Sequence, residues 1–345
     1  MTSRTVRASD VLSGARSGAS AHPPSSDHPP VDYPFGPFEP SERNPVLRPG
    51  RHPWESTNVY NPAAIVVDGR VALLYRAHAD DIVSSLGLAW SDDGHTFVAE
   101  PDAVMVPEHD YERYGCEDPR VVRIDGTYYC TYTGWDRHTA RLCLATSTDL
   151  RTWEKHGPIV PGINTFAGVR ETPGPDWSKG GVILPEQLDG RWVMWFGEGN
   201  VHVAYSDDLL HWEADPVPIL RPEPGTFMGD LVETGPQPIR TRTGHVLLMH
   251  NSAVVSAVDD VHYSCGQILI DPDRPDTVVA KLTEPWLSPR TEEELHGLVD
   301  SVTFVEGLVF HRGTWFAYYG QSDTTIGVAT FTPPTTPDSD TEDPA

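Results

Sequence analysis

One unit recurs five times along this chain, and it constrains the fold more than any other feature. The copies are "AIVVDGRVALLYRAHA" (64–79), "RVVRIDGTYYCTYTGW" (120–135), "GVILPEQLDGRWVMWFGEG" (181–199), "QPIRTRTGHVLLMHNSA" (237–253) and "VTFVEGLVFHRGTWFAYYGQ" (302–321). Each is a short apolar strand, a turn containing Gly, and an aliphatic or aromatic strand. Asp-Gly between two such runs is a strong hairpin signal, because both turn residues must adopt positive φ. A spacing of about 55–65 residues between copies indicates a repeat architecture. A second pattern interleaves with it. "SDDGHTF" (91–97), "STDLRTW" (147–153) and "SDDLLHW" (206–212) share Ser-x-Asp-x-x-x-aromatic. Their short polar side chains can bond their own backbone while the ring packs on the sheet, so these motifs read as structural turns. Long helical periodicity is absent, and only "RTEEELHGL" (290–298) resembles a helical turn. The reading is an all-β chain forming a five-bladed β-propeller.

The terminal segments differ from this pattern. Residues 1–32 are rich in Ser, Pro and Ala, and residues 333–345 form a polar, acidic tail. Neither buries enough apolar surface to offset chain entropy, so both are expected to be disordered around a single propeller domain at 33–332. The formal net charge of -25 argues against nucleic acid and anionic membranes as partners. No apolar run reaches the ~20 residues of a membrane span, and the N-terminal stretch lacks the apolar region of a secretory signal. Cys116, Cys130, Cys143 and Cys265 lie far apart without a CxxC pair. They read as reduced thiols in a cytoplasmic protein, with no metal site and no cofactor.

In a propeller the innermost strands start beside a central channel, and ligands bind at its mouth. Asn61, Asp118, Lys179 and Glu233 stand at repeat starts and Asp323 follows the last strand, so these should face one another. The segment "GCEDPR" (115–120) opens the innermost strand of the second repeat. Its charges would then point into the channel. Each residue also has a plainer reading. Asp118 could cap the turn before Pro119 and pair with Arg120, and Asn61 could be a turn residue before Pro62.

At these residues the chain resembles glycoside hydrolase family 130. The resemblance is carried by "NPAAIVVDG…LLYRA" (61–77), "EDPRVVRIDGTYYCTYT" (117–133), "SKGGVILPEQLDGRW" (178–192), "ETGPQPIRTRTGHVLLMH" (233–250) and "YYGQSDTTIGVA" (318–329), and covers about residues 45–331. It implies a five-bladed propeller acting on β-mannosides with inversion at the anomeric carbon. In the family's phosphorylases an Asp in the Glu-Asp-Pro-Arg motif is the general acid, acting through a substrate hydroxyl, with phosphate as nucleophile; here it matches Asp118. In its mannosidases two further glutamates act as acid and base, with water as nucleophile.

The chain departs from the phosphorylase pattern at "GRWVMWFGEGN" (190–200), where Glu198 stands near the place of a phosphate-holding arginine. A like charge at ~4 Å costs about 4 kcal/mol at an effective dielectric constant of about 20. That exceeds the roughly 1.5–3 kcal/mol of one charged hydrogen bond. With Glu233 as a second carboxylate, the expectation is an inverting hydrolase of β-1,2- or β-1,4-linked mannooligosaccharides, with Asp118, Glu198 and Glu233 as catalytic carboxylates.

Asn61, Arg76, Glu117, Arg120, Lys179, His250, Tyr319 and Asp323 are the expected substrate-binding residues, and Trp135 and Trp195 could stack on a sugar face or pack in the core. The alternative is a phosphate-dependent β-mannoside phosphorylase, in which Arg141, Lys179 and His250 hold phosphate and Arg137 stands nearby. A non-catalytic carbohydrate-binding propeller and a hydrolase of arabinosides or xylosides are the remaining readings. The expected partner is an oligosaccharide, with phosphate as a second ligand for a phosphorylase, and the chain is expected to be a monomer or small homo-oligomer.

Overall fold

The computed structural model describes residues 28–50, 52–172, 174–257 and 260–334. They form five antiparallel sheets, the blades of a propeller. Blade 1 runs Asn58–Val67, Arg70–His78, Ser85–Ser91 and Val98–Ala99, and blade 2 runs Gly115–Ile124, Thr127–Trp135, Ala140–Ser147 and Glu154–Pro158. Blade 3 is shorter, with Gly181–Ile183, Trp192–Phe196, His202–Ser206 and Glu213–Ala214. Blade 4 is built on Leu231–Thr234, Val246–Ala257, Asp260–Asp271 and Arg274–Lys281. Blade 5 contains Thr303–His311, Thr314–Gln321 and Thr325–Phe331, and its outer position is filled from the N-terminal side by Glu39–Pro40. The repeat pattern did not disclose this closure, which ties the two ends of the described chain into one sheet.

The repeated hairpins turn as their sequences require. Asp68-Gly69, Asp125-Gly126, Asp189-Gly190 and Arg312-Gly313 all have positive φ at both positions, the type I′ signature whose twist matches the strands it joins. The Ser-x-Asp turns are structural. Ser91, Ser147 and Ser206 accept the N–H three residues on at 2.8–2.9 Å. Asp93, Asp149 and Asp208 each accept two further backbone N–H groups. A short helix, Glu292–Leu295, starts with a capping box between Thr291 and Glu294.

Apolar burial is divided among the blade-to-blade interfaces. One cluster joins Leu74 and Leu88 of blade 1 to Tyr128 and Cys130 of blade 2, and another joins Leu142 and Leu144 of blade 2 to Met194 and Phe196 of blade 3. A third packs Val203 of blade 3 on Leu248 and Ile268 of blade 4. Leu247 and Met249 of blade 4 meet Leu308 and Trp315 of blade 5, and Phe316 and Tyr318 of blade 5 close the ring on Leu73 and Tyr75. Val31, Phe35 and Phe38 are buried in the cluster between blades 4 and 5. The folded part therefore begins before residue 33, because Val31 also bridges Thr241 in parallel. The rest of the expected N-terminal segment, residues 1–27, and most of the tail lie outside the described residues.

All four cysteines are buried and none is in a disulfide. Among the described residues no helix is long and apolar enough to cross a membrane.

Candidate active site

The innermost strands bring their charged residues together through a repeated irregularity. In blade 1 the pairing slips between Tyr60 and Pro62, in blade 2 between Glu117 and Arg120, and in blade 5 between Val305 and Gly307. Each slip is a β-bulge, which bends the strand and re-aims a side chain. The residues released are Asn61, Asp118 and Glu306. Asn61 and Asp118 both have φ of 49°, a left-handed conformation that Asn and Asp tolerate better than other side chains.

Asp118 is the centre of the cluster. Its Oδ1 accepts hydrogen bonds from Asn61 Nδ2 at 2.8 Å and Arg76 Nη1 at 3.0 Å, and its Oδ2 accepts from Lys179 Nζ at 3.0 Å. Arg76 Nη2 also donates to Glu117 Oε1 at 2.7 Å, which Ser84 bonds as well. The Tyr60 ring lies 4.6 Å from the Arg76 guanidinium. Burial alone would raise the Asp118 proton affinity; Lys179, Arg76, Arg120 and the Asn61 amide outweigh it and hold the carboxyl well below the usual range. Glu117 shifts the opposite way, because burial and the Asp118 charge prevail over Arg76.

The second group is Glu198 and Glu233. Glu198 directly follows blade 3's second strand, yet it pairs with the inner strand of blade 4, where its register partner is Glu233. Two glycines make that turn feasible. A Cβ on Gly197 would stand 2.1 Å from the Asn200 carbonyl oxygen, and one on Gly199 would stand 2.6 Å from the Phe166 ring. Glu198 Oε2 accepts the Trp177 indole N–H at 3.0 Å, and its backbone carbonyl accepts from Thr165 at 2.7 Å. Glu233 lies 3.5 Å from Lys179 and 3.6 Å from Arg120, but its oxygens accept no hydrogen bond from the described residues. Burial, with Glu198 and Asp118 adding and Lys179 and Arg120 opposing, pushes its carboxyl up to about 8. Burial likewise pushes Asp323 up to about 6, against Arg76.

Arg120 is enclosed behind these groups. It donates to the carbonyls of Asp118, Thr234 and Gly235, and stands 2.7 Å from the buried carboxylate of Glu306. Asn61, Arg76, Glu117, Asp118, Arg120, Lys179, Glu198, Glu233 and Asp323 thus converge. The side chains of Arg76 and Lys179 keep 17% and 16% exposure, which makes them the cations a ligand can reach.

His250, Tyr319 and Trp195 stand elsewhere. His250 neighbours Asn251, the register partner of Glu233, so strand alternation turns it to the other face. It bonds Ser252, stacks on Phe227, and burial lowers its pKa to about 4. Tyr319 donates to Glu294 and accepts from Asn44 behind blade 5. Arg141 pairs with Asp136 at 2.7 Å, and its strand neighbours Ala140 and Leu142 bond Ser178, the residue before Lys179. Trp195 is fully buried and donates to the Pro275 carbonyl, which makes it core. Arg137 is exposed over the Tyr114 ring. Trp135 meets Trp177 edge to face at 5.8 Å and so stands beside Glu198 through that ring.

Sequence reasoning missed Glu306, Trp177 and Tyr263, whose phenol feels Glu198 and Glu233. Glu306 did carry a signal, a lone carboxylate followed by Gly inside the apolar run "VTFVEGLVF". Trp177 lies in a loop with no local pattern. One metal-type grouping occurs among the described residues, Glu108, His109 and Glu112, but the Lys155 ammonium already occupies Glu112.

The family model for glycoside hydrolase family 130, described as β-1,4-mannooligosaccharide phosphorylase, matches residues 39–334. The chain is 38% identical over 297 residues to the 1,2-β-oligomannan phosphorylase of Thermoanaerobacter sp. (strain X514), covering 83% of this chain and 94% of that one. It is 32% identical over 304 residues to the β-1,2-mannobiose phosphorylase of the same organism, with the same coverage. A solved structure reported under the heading that this family of mannoside phosphorylases contains glycoside hydrolases targeting β-1,2 mannosidic linkages in Candida mannan superposes with a TM-score of 0.78. That likeness has 32% identity and covers 88% of this chain and 95% of the other. The five bladed sheets, the bulged Glu-Asp-Pro-Arg strand and the extent of these matches agree, and the chain belongs to glycoside hydrolase family 130.

Proposed function

We propose that the chain cleaves β-1,2-mannosidic linkages by inverting phosphorolysis, releasing mannose 1-phosphate. This replaces hydrolysis as the first reading, because the two curated relatives above are β-1,2-linkage phosphorylases. The observation that carries it is the placement of Asp118 between Arg76 and Lys179, each 3.0 Å away. A phosphate entering beside these cations takes up part of their charge and repels the Asp118 carboxylate, which raises its proton affinity. Asp118 can then pass a proton, through a sugar hydroxyl, to the departing oxygen. Phosphate oxygen attacks the anomeric carbon as the glycosidic C–O bond breaks, and the proton brought in by phosphate balances the one taken by the leaving hydroxyl.

Hydrolysis is the second reading, favoured by the Glu198–Glu233 register pair. Glu233, pushed up to about 8, holds a proton at neutral pH, as an acid beside a departing oxygen must. The four unpaired buried thiols support a cytoplasmic setting.

The test is product analysis on β-1,2-mannobiose with and without inorganic phosphate. Mannose 1-phosphate formed only with phosphate supports phosphorolysis. Free mannose at equal rates in both buffers supports hydrolysis and overturns the first reading.

A further inference from the structure

Glu306 lies on the bulge of the blade 5 inner strand and is fully buried. Its position is tightly determined, because a Cβ on the following Gly307 would stand 2.8 Å from the Pro62 carbonyl oxygen of blade 1. Its carboxylate points at Arg120 Nη1 at 2.7 Å, while Arg120 Nη2 faces Glu233 Oε1 at 3.6 Å. One guanidinium thus stands between two buried carboxyl groups, and neither accepts a hydrogen bond from the described residues. The other charged groups acting on the pair are Lys179 and Asp118 on both carboxyls, and Glu198 on Glu233. Cys130 and Tyr263 are the uncharged titratable neighbours, the first beside Glu306 and the second beside Glu233.

We propose that Glu306 is a positioning residue that competes with Glu233 for Arg120 and thereby keeps the proton on Glu233. The physical reason is charge sharing. One arginine charge in a dry site stabilises one carboxylate well and a second poorly, so the two carboxyls titrate as a unit. Burial raises the proton affinity of both carboxyls against the pull of Arg120. The shorter contact gives Glu306 first claim on Arg120, which makes Glu306 the one of the two held as the carboxylate. Glu233 is left with the longer contact and with Lys179, whose nearer partner is Asp118. Glu306 touches no reacting atom in this scheme. It acts through Arg120, and the role of Glu233 at the cleavage point rests on the hydrolytic reading above.

The test uses a readout independent of turnover. The protonated-carboxyl infrared band of the full-length protein is titrated with pH, and the Glu233 band is assigned by its loss in Glu233→Gln. In Glu306→Gln the competitor is gone, Arg120 turns wholly to Glu233, and the band is expected to titrate about one pH unit lower. Glu306→Asp, with its carboxylate one methylene further back, is expected to fall between that variant and the wild type. Coincident titrations of wild type and Glu306→Gln overturn the proposal. Should Glu306→Gln fail to fold, coincidence of wild type and Glu306→Asp overturns it equally. The pH dependence of kcat/KM on β-1,2-mannobiose separates the two levels. A wild type that releases no free mannose in the absence of phosphate defeats the hydrolytic reading, while the infrared comparison still decides the role of Glu306.

Discussion

Glu198 and Glu233 face each other as register partners across two antiparallel strands, the first leaving blade 3 and the second lining blade 4. The pair decides between the two acceptors. In hydrolysis both carboxylates act on reacting atoms, so E198Q and E233Q each lose about 10²–10⁴-fold in kcat. In phosphorolysis phosphate supplies the nucleophile, and E198Q stays within about tenfold of the wild type. Steady-state rates for the two variants with phosphate present check this, and a 10³-fold loss in E198Q would sink the phosphate-acceptor reading.

In the proposed phosphorolysis Asp118 is the general acid, so D118N is expected to lose at least about 10²-fold in kcat. The substitution also leaves Arg76 and Lys179 facing a neutral amide. Breaking a buried ion pair from one side costs about 3–5 kcal/mol. Thermal unfolding beside the rate assay separates the two effects. A folded D118N with near-normal turnover would remove Asp118 from the mechanism.

Glu233 gives stability a defined pH dependence. Its carboxyl titrates near the ordinary value of 4.5 when unfolded and at about 8 when folded. The folded state therefore holds a proton that the unfolded state has lost. Stability from this group is fully present below the ordinary value and falls as pH rises from there through about 8, by up to about 1.4 kcal/mol per pH unit. Asp323, pushed from 3.8 up to about 6, adds a like slope over the narrower window between those values. Chemical denaturation at a series of pH values should show the decline in the wild type and a flatter curve in E233Q; parallel curves would contradict it.

His250 faces away from the carboxylate cluster and Arg141 is already paired with Asp136, so neither is expected to hold phosphate. R141A is expected to leave the KM for phosphate unchanged. It should lower stability by no more than about 1 kcal/mol, because the Asp136 pair is partly exposed. H250N should likewise keep the phosphate KM while losing some stability, since the ring is buried against Phe227. A tenfold rise in phosphate KM in either variant would place it back at the anion site.

The fold was legible because propeller blades are local. Asp68-Gly69, Asp125-Gly126 and Asp189-Gly190 announce hairpins whose strands pair with near neighbours, and the Ser-x-Asp turns close within four residues. The site was half legible for the same reason. Asn61 and Asp118 stand before proline at repeat starts, where a bulge has a local signature. What the residues alone determined is therefore the repeat, its turns and the carboxylates at its openings. The tertiary structure decided which of these share a charge. Lys179 reaches Asp118 across 61 positions of sequence, and Arg120 reaches the carbonyls of Thr234 and Gly235 across 114 and 115. It also decided that His250 and Tyr319 turn away, since one step along a strand reverses the face. Coulomb interaction depends on distance in space and on burial, and only closing the ring of five blades sets both.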